Sequence, residues 1–217
     1  MNTLLETTRK SLEKNGIATE YCKTKAELIP LLQNLIPKGS SIANGGSTTL
    51  AECGIFEWLQ NQSDYQFIDR NNPALTAEEL ENIFSLSQSC DFYLCSSNAV
   101  TEDGLLYNVD GKSNRVSAIA FGPKKVIMVV STNKIVKNLD EAVKRVKNIA
   151  APRNTQRLNC QTPCQKTGHC LYPDTTAQEM TKGCDSPARI CCNFLVSAKQ
   201  RIPGRITVIF LEEKAGY

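Results

Sequence analysis

No stretch of this sequence stays apolar for long. The longest such run, Val126–Val130, is far too short to span a bilayer, which argues against a membrane protein. Neither sign of charge dominates: 25 basic and 22 acidic residues leave a net charge of +3, and no run of Lys and Arg forms a basic stripe. Nucleic acid is therefore not an expected partner. The start, Met1–Lys10, lacks the apolar core and cleavage site of a secretory leader, so the expected location is cytoplasmic. Histidine is nearly absent: His169 stands alone and reads as a solvated loop residue. Internal repeats and low-complexity segments are also missing.

What is present suits a globular chain. The 217 residues are enough for one sizeable domain, and 41% apolar with 22% charged residues leaves little room for a disordered or fibrous protein. Residues 1–37 read as helical, with an apolar face over Ala26–Ile36 that Pro37-Lys38-Gly39 ends. Residues 38–151 read as an α/β core. Strands are expected at Ser40–Ala43, Tyr65–Ile68, Asp91–Cys95 and Lys125–Ser131, the last two apolar almost throughout, as in a sheet covered on both faces. Helices are expected over Leu50–Gln60, after Thr76 (with Glu79 completing a capping box) and over Leu139–Ile149. A small hairpin is expected within Ser96–Asp110. Residues 152–192 form a cysteine-rich loop, and 193–217 read as two strands joined through Pro203-Gly204 in an antiparallel hairpin. The alternation predicts a three-layer α/β fold: a mostly parallel sheet with helices on both faces.

Two polar loops follow predicted strands, and ligands of open α/β sheets sit beyond the carboxyl ends of the strands. Asn44-Gly45-Gly46-Ser47-Thr48-Thr49 has glycines that let backbone approach a ligand, three hydroxyls, and a helix start whose free N–H groups attract anions. It reads equally as a glycine turn with Ser47 as a plain helix cap. Asn98–Gly104 and Asn108–Arg115 crowd Asn98, Thr101, Glu102, Asp103, Asn108, Asp110, Asn114 and Arg115 together. Such groups can bind a polar ligand or do acid–base work; they are also the residues that tolerate turns.

The phrases Ala43-Asn44-Gly45-Gly46-Ser47-Thr48-Thr49-Leu50, Ser97-Asn98-Ala99-Val100-Thr101-Glu102-Asp103-Gly104, Asn108-Val109-Asp110-Gly111, Asn114-Arg115-Val116, Phe121–Ile127 and Asn133-Lys134-Ile135-Val136 resemble the LUD domain family of lactate-utilisation proteins. Pro163-Cys164, Thr167-Gly168-x-Cys170 and Ser186-Pro187-x-Arg189-Ile190-Cys191 continue the resemblance over nearly the whole chain. It implies a fold like ribose-5-phosphate isomerase, glucosamine-6-phosphate deaminase and the CoA transferases, and participation in a system that oxidises L-lactate to pyruvate beside iron–sulfur partner proteins. In that wider group the Gly-Gly-Ser-Thr loop resembles a phosphate- or CoA-binding loop. One departure is local: Ser113 stands where the family pattern has glycine.

The second signal is Cys164-x5-Cys170-x13-Cys184-x6-Cys191, which holds four of the ten cysteines. In a reducing compartment such thiolates suit zinc or an iron–sulfur cluster, or stand as reduced structural thiols. The spacing fits neither a paired zinc ribbon nor a ferredoxin run. The family pattern brings the second and third cysteines close together, so Leu171–Gly183 reads as an insertion. Cys53, Cys90 and Cys95 read as small core side chains.

Three functions follow. In the first, a small anion (carboxylate, phosphate or CoA-type) binds at the sheet edge in a lactate-oxidation system. Glu102 and Asp103 would then do acid–base or nucleophilic work, Arg115 and Lys134 would hold the carboxylate or phosphate, and the Asn44–Thr49 amides would hold the anion. In the second, a non-enzymatic subunit carries metal or docks an iron–sulfur partner through its cysteines. In the third, a sugar-phosphate isomerase or CoA-transferase activity accompanies the fold.

Overall fold

The computed structural model describes residues 3–217. In chain order it contains α1 (Thr3–Lys14), β1 (Ala18–Cys22), α2 (Leu28–Leu35), β2 (Ser41–Asn44), α3 (Thr48–Glu52), α4 (Ile55–Gln60), β3 (Gln66–Ile68), α5 (Ala77–Ser87) and β4 (Phe92–Cys95). There follow β5 (Ala99–Thr101), β6 (Leu106–Asp110), α6 (Asn114–Ala120), β7 (Lys125–Ser131), β8 (Ile135–Val136), α7 (Leu139–Arg145), α8 (Ala151–Arg157), α9 (Pro163–Thr167), β9 (Asn193–Ser197) and β10 (Ile206–Leu211). A π-helical segment, Val146–Ala150, joins α7 to α8. The capping box expected at Thr76 is present: Glu79 N–H donates to Thr76 Oγ1 at 3.2 Å, and Thr76 N–H donates to Glu79 Oε2 at 2.8 Å.

Six strands form a wholly parallel sheet in the order β1-β10-β7-β4-β2-β3. β7 shows why its sequence is apolar throughout. Successive strand side chains point to opposite faces. Val126, Met128 and Val130 join one buried cluster with Leu5 and Leu12 of α1 and Ile119 of α6. Ile127 and Val129 join another with Leu28 and Leu32 of α2, Leu50 of α3 and Ile55 of α4. Helices therefore cover both faces. A second sheet, β8-β5-β6-β9, leans on the first: the expected hairpin is β5–β6, antiparallel, and α7 covers it through Ala142 and Val143.

Two expectations are corrected. The N-terminal region is not helical throughout, because β1 interrupts it and pairs in parallel with β10 (Met1 and Asn2 of that region lie outside the described residues). The C-terminal strands do not form a hairpin. β9 pairs antiparallel with β6 in the second sheet, whereas β10 lies between β1 and β7 in the first. The reason is burial: Ile206, Val208, Ile209, Phe210 and Leu211 are all buried, so β10 needs cover on both faces and both edges, which a two-stranded ribbon cannot give.

Candidate functional site

The chain runs from β2 outward to β3, returns on the other side of β2 as β4, and continues away to β7. Strand order thus reverses between β2 and β4. At such a point the loops leaving the carboxyl ends separate and open a crevice. The loops after β2, β4 and β7 bring Gly46–Thr49, Ser96–Asn98 and Lys134 to this rim, where they line a cavity of about 530 Å³. Val109–Gly111 and Asn114–Arg115 close it from the second sheet and α6. Leu80 and Phe84 of α5, Asn154, Arg157 and Leu158 from the end of α8, and Ile190 and Tyr217 complete the walls.

The lining is strongly cationic. Arg70, Lys112, Arg115, Lys134, Arg157 and Arg189 all contribute, against the single carboxylate of Asp110. That carboxylate already serves Arg115, at 2.6 Å from Nη2. Arg70 has its guanidinium 4.8 Å above the Phe84 ring and no hydrogen bond or ion pair among the described residues; burial pulls its pKa down. Thr48 Oγ1 is buried without a hydrogen-bond partner among the described residues. Lys112 meets Glu81 and Arg115 meets Asp110, whereas Arg70, Arg157 and Arg189 meet no carboxylate side chain among the described residues, so the wall carries a net positive field that the low-dielectric surroundings strengthen.

Lys134 is the most unusual of these residues. It is 3% exposed, and its Nζ donates to Thr49 Oγ1 at 2.7 Å and Ser96 Oγ at 3.0 Å. Burial pulls its pKa down to about 7, with the charges of Arg145 and Arg115 acting in the same direction and Glu52 and Cys53 opposing. A buried ammonium facing hydroxyls and guanidinium groups is held near neutrality.

Arg115 plays a different part from the one its sequence suggests. Its Nε donates to Asp110 Oδ1, its Nη1 to Ser96 O and Asn108 Oδ1, and its Nη2 to Asn98 Oδ1, Val109 O and Asp110 Oδ1, all between 2.6 and 3.0 Å. Burial opposes its charge, yet Asp110, with smaller contributions from Cys95 and Tyr93, holds its pKa above the ordinary arginine value. The guanidinium ties the β4–β5 loop, β6 and α6 together, with no donor left over to grip an anion. Gly45 belongs to the same arrangement, since a Cβ there would come within 3.1 Å of Arg115 Cδ and 3.0 Å of the Tyr93 hydroxyl. Ser47 caps α3 by accepting Leu50 N–H at 3.2 Å, and α3 is only five residues long, so its dipole is slight. Asn44 and Asn108 are buried but absent from the cavity wall.

Glu102 and Asp103 are not brought to the cavity. They form the β5–β6 turn: Thr101 Oγ1 donates to Asp103, accepts Leu105 N–H at 2.9 Å, and Asn15 Nδ2 donates to Gly104 O at 3.1 Å. This turn abuts the carboxyl end of α1 because antiparallel pairing carries it a strand's length from the rim.

The cysteines part company. Cys164 Sγ lies 3.4 Å from Thr162 Oγ1 and 3.6 Å from Thr155 Oγ1. Cys170, Cys191 and Cys184 are near enough to buried Lys147 to act on its charge, though burial still pulls its pKa down, and its ammonium donates to Lys182 O. Arg189 Nε donates to Cys191 Sγ at 3.3 Å. Among the described residues no group of three or more His, Cys, Asp or Glu side chains could hold a metal ion, and the four expected ligands do not fit zinc or an iron–sulfur cluster in this arrangement. Cys191 instead accepts from Arg189, and Cys164 lies against two threonine hydroxyls. Leu171–Gly183 is tied to the helical segment beside it: Ala177 N–H donates to Asp140 Oδ1 at 2.7 Å, and Asn148 Nδ2 to Pro173 O at 2.9 Å. His169 is exposed, with its ring against Cys170 O.

Sequence reading missed Arg70, Phe84, Arg157 and Tyr217. Arg70 was within reach of the rule already applied, since it follows β3 on the same rim. The others come from α5, from the last turn of α8 and from the residue closing the chain, and nothing local marks them.

The LUD domain family model matches residues 5–211. A crystal structure of a DUF162 family protein from Deinococcus radiodurans is similar in fold, with a TM-score of 0.50 and 15% sequence identity over 96% of this chain and 95% of that one. No curated protein matches the chain in sequence. No helix among the described residues is long and apolar enough to cross a membrane.

Proposed function

The chain belongs to the LUD domain family, associated with lactate utilisation, and from that premise we propose that it binds a small organic anion in the cavity at the switch between β2 and β4. One observation carries this reading: six basic side chains line the cavity against one carboxylate side chain, Asp110, which Arg115 pairs, and three of the six, Arg70, Arg157 and Arg189, meet no carboxylate side chain among the described residues. Thr48, Thr49, Ser96 and Lys134 offer a polar end for a carboxylate or phosphate. Leu80, Phe84, Leu158 and Ile190 offer an apolar wall. The volume exceeds what a three-carbon acid fills and falls in the range of ordinary ligand pockets, so the anion carries a further apolar or ring portion.

The test is thermal stabilisation by lactate, pyruvate, inorganic phosphate, a sugar phosphate and CoA. A ligand present at a hundred times its Kd stabilises by about 2.7 kcal/mol, enough for a clear rise in Tm. At least one should do so, less strongly at high salt, and Arg70→Ala should weaken it. If all five leave Tm unchanged at millimolar concentration, the anion reading is lost.

A further inference from the structure

We propose that Lys134 is a carbonyl-reactive amine, which forms an imine with an anion bearing an aldehyde or ketone group. The inference rests on the anion reading above and deepens it by naming the reactive group of the ligand.

The argument starts from what Lys134 lacks. The ammonium groups of Lys25, Lys38, Lys112 and Lys124 each meet a carboxylate, from Glu213, Asp64, Glu81 and Asp91 respectively. Lys134 is buried and faces the cavity, yet its hydrogen-bond partners are two hydroxyls, Thr49 Oγ1 and Ser96 Oγ. Ser96 Oγ directs its own hydrogen toward Ser97 O at 3.4 Å, so it accepts from Nζ. A neutral amine that donates two hydrogens to two hydroxyls keeps its lone pair free. A buried charge without a paired anion is costly, and Arg115 and Arg145 add like charge nearby.

Protonation follows the same logic. With its pKa held at about 7, roughly half of Lys134 is free amine at neutral pH, whereas a surface lysine near pKa 10.4 is free amine roughly a thousandfold less often. The groups that set this balance are Arg145 and Arg115 on one side, Glu52 and Cys53 on the other. Desolvation beside other cations is a recognised way to make lysine nucleophilic.

The step balances without an oxidant or reductant. The Nζ lone pair attacks the carbonyl carbon, and the carbonyl oxygen takes a proton. The resulting carbinolamine loses one water, with the nitrogen giving up its hydrogens, and C=N replaces C=O. Thr49 and Ser96, within hydrogen-bond distance of that nitrogen, can carry the proton between nitrogen and oxygen. The anionic end of the ligand would lie against the surrounding cations and orient the carbonyl.

The alternative is that Lys134 merely fastens the β2–α3 loop to the end of β4. Two reagents separate these roles: pyruvate, a carboxylate with a ketone, and glycolaldehyde phosphate, a phosphate with an aldehyde. Each is incubated with the wild-type protein near pH 7, reduced with cyanoborohydride and mapped by peptide mass spectrometry. The expected result is one adduct per chain, on Lys134, with at least one reagent, suppressed by excess inorganic phosphate and lost as pH falls below 7. Whichever reagent is trapped at lower concentration identifies the anionic group preferred. Lys134→Met removes the nucleophile at similar side-chain length, so it should lose the adduct, and its own Tm reports whether it folds. Adducts that are absent, or scattered over surface lysines, while phosphate still stabilises the wild-type protein would overturn the imine and leave the anion site standing. If no anion stabilises the protein, both readings fall together.

Discussion

Arg115 and Arg70 bring the same guanidinium to one cavity and are expected to behave in opposite ways when removed. Arg115 satisfies Asp110, Asn98, Asn108 and two carbonyls from a buried position. Arg115→Ala leaves Asp110 unpaired, and breaking a buried pair in this way costs about 3–5 kcal/mol, read as a lower midpoint in urea. Arg70 stacks on the Phe84 ring and makes no hydrogen bond or ion pair among the described residues, so Arg70→Ala should keep the midpoint within about 0.5–1 kcal/mol yet weaken anion binding. A reversed pattern would exchange their roles. Ser113 offers a stabilising change. Its φ is 68° with no side-chain cap hydrogen bond, a left-handed backbone that favours glycine. Ser113→Gly should therefore raise stability by about 1 kcal/mol. For Lys134 the sign of the pH effect is fixed. Below pH 7 the ammonium form dominates and attracts an anion; as pH rises through 7 it loses its proton. Affinity for sulfate, whose charge is constant in this range, should fall across pH 7, and binding above pH 7 should take up a proton, visible by calorimetry in buffers of different ionisation enthalpy. None of these roles could be assigned from local sequence: Arg115 and Lys134 stood out as candidate cations, but what each one touches depends on how distant loops meet.

Among the elements, the strands most legible in sequence are those buried on both faces. β4 and β7 announce themselves as apolar runs. β1 escapes notice because Ala18-Thr19-Glu20-Tyr21-Cys22 is an edge strand with only Cys22 buried, and its mixed composition resembles the helices around it. The false C-terminal hairpin has a similar origin: Pro203-Gly204 is a turn signal, but a turn says nothing of which sheet the next strand enters. The run Ile206–Leu211 held the better clue, since a half-exposed hairpin strand alternates polar and apolar residues and this one does not. Hydrogen exchange should accordingly be slower in β10, bonded along both edges, than in β9, bonded to β6 alone; equal protection would contradict this pairing. The β5–β6 turn yields a further test. Gly104 has a φ of +87°, and a Cβ there would lie 2.7 Å from the backbone of Ser11. Gly104→Ala should destabilise the protein by at least about 1 kcal/mol without altering anion affinity, whereas a catalytic turn at Glu102–Asp103 would lose function as well.

For the molecule as a whole, two sheets meet around a cavity that neither could enclose alone: the parallel sheet contributes its rim loops, the mixed sheet β6 and the entrance to α6. The convergence of the glycine-serine-threonine loop with Asn98 follows from the α/β alternation, because loops after parallel strands share one edge; Asp110 and Arg115 join them from the end of β6 in the mixed sheet. The failure of the cysteine expectation is equally physical. Spacing counts residues between thiols, but in the folded chain Cys191 meets Arg189 and Cys164 meets Thr155 and Thr162, and no group of three metal-ligating side chains forms among the described residues. The pairing of β1 with β10 joins strands separated in sequence by nearly the whole fold. Until that pairing forms, β7 has one open edge and α1 an incomplete floor, so closure of the sheet is a long-range event. Any species in which β10 has not yet docked exposes strand backbone, the kind of edge that chaperones cover.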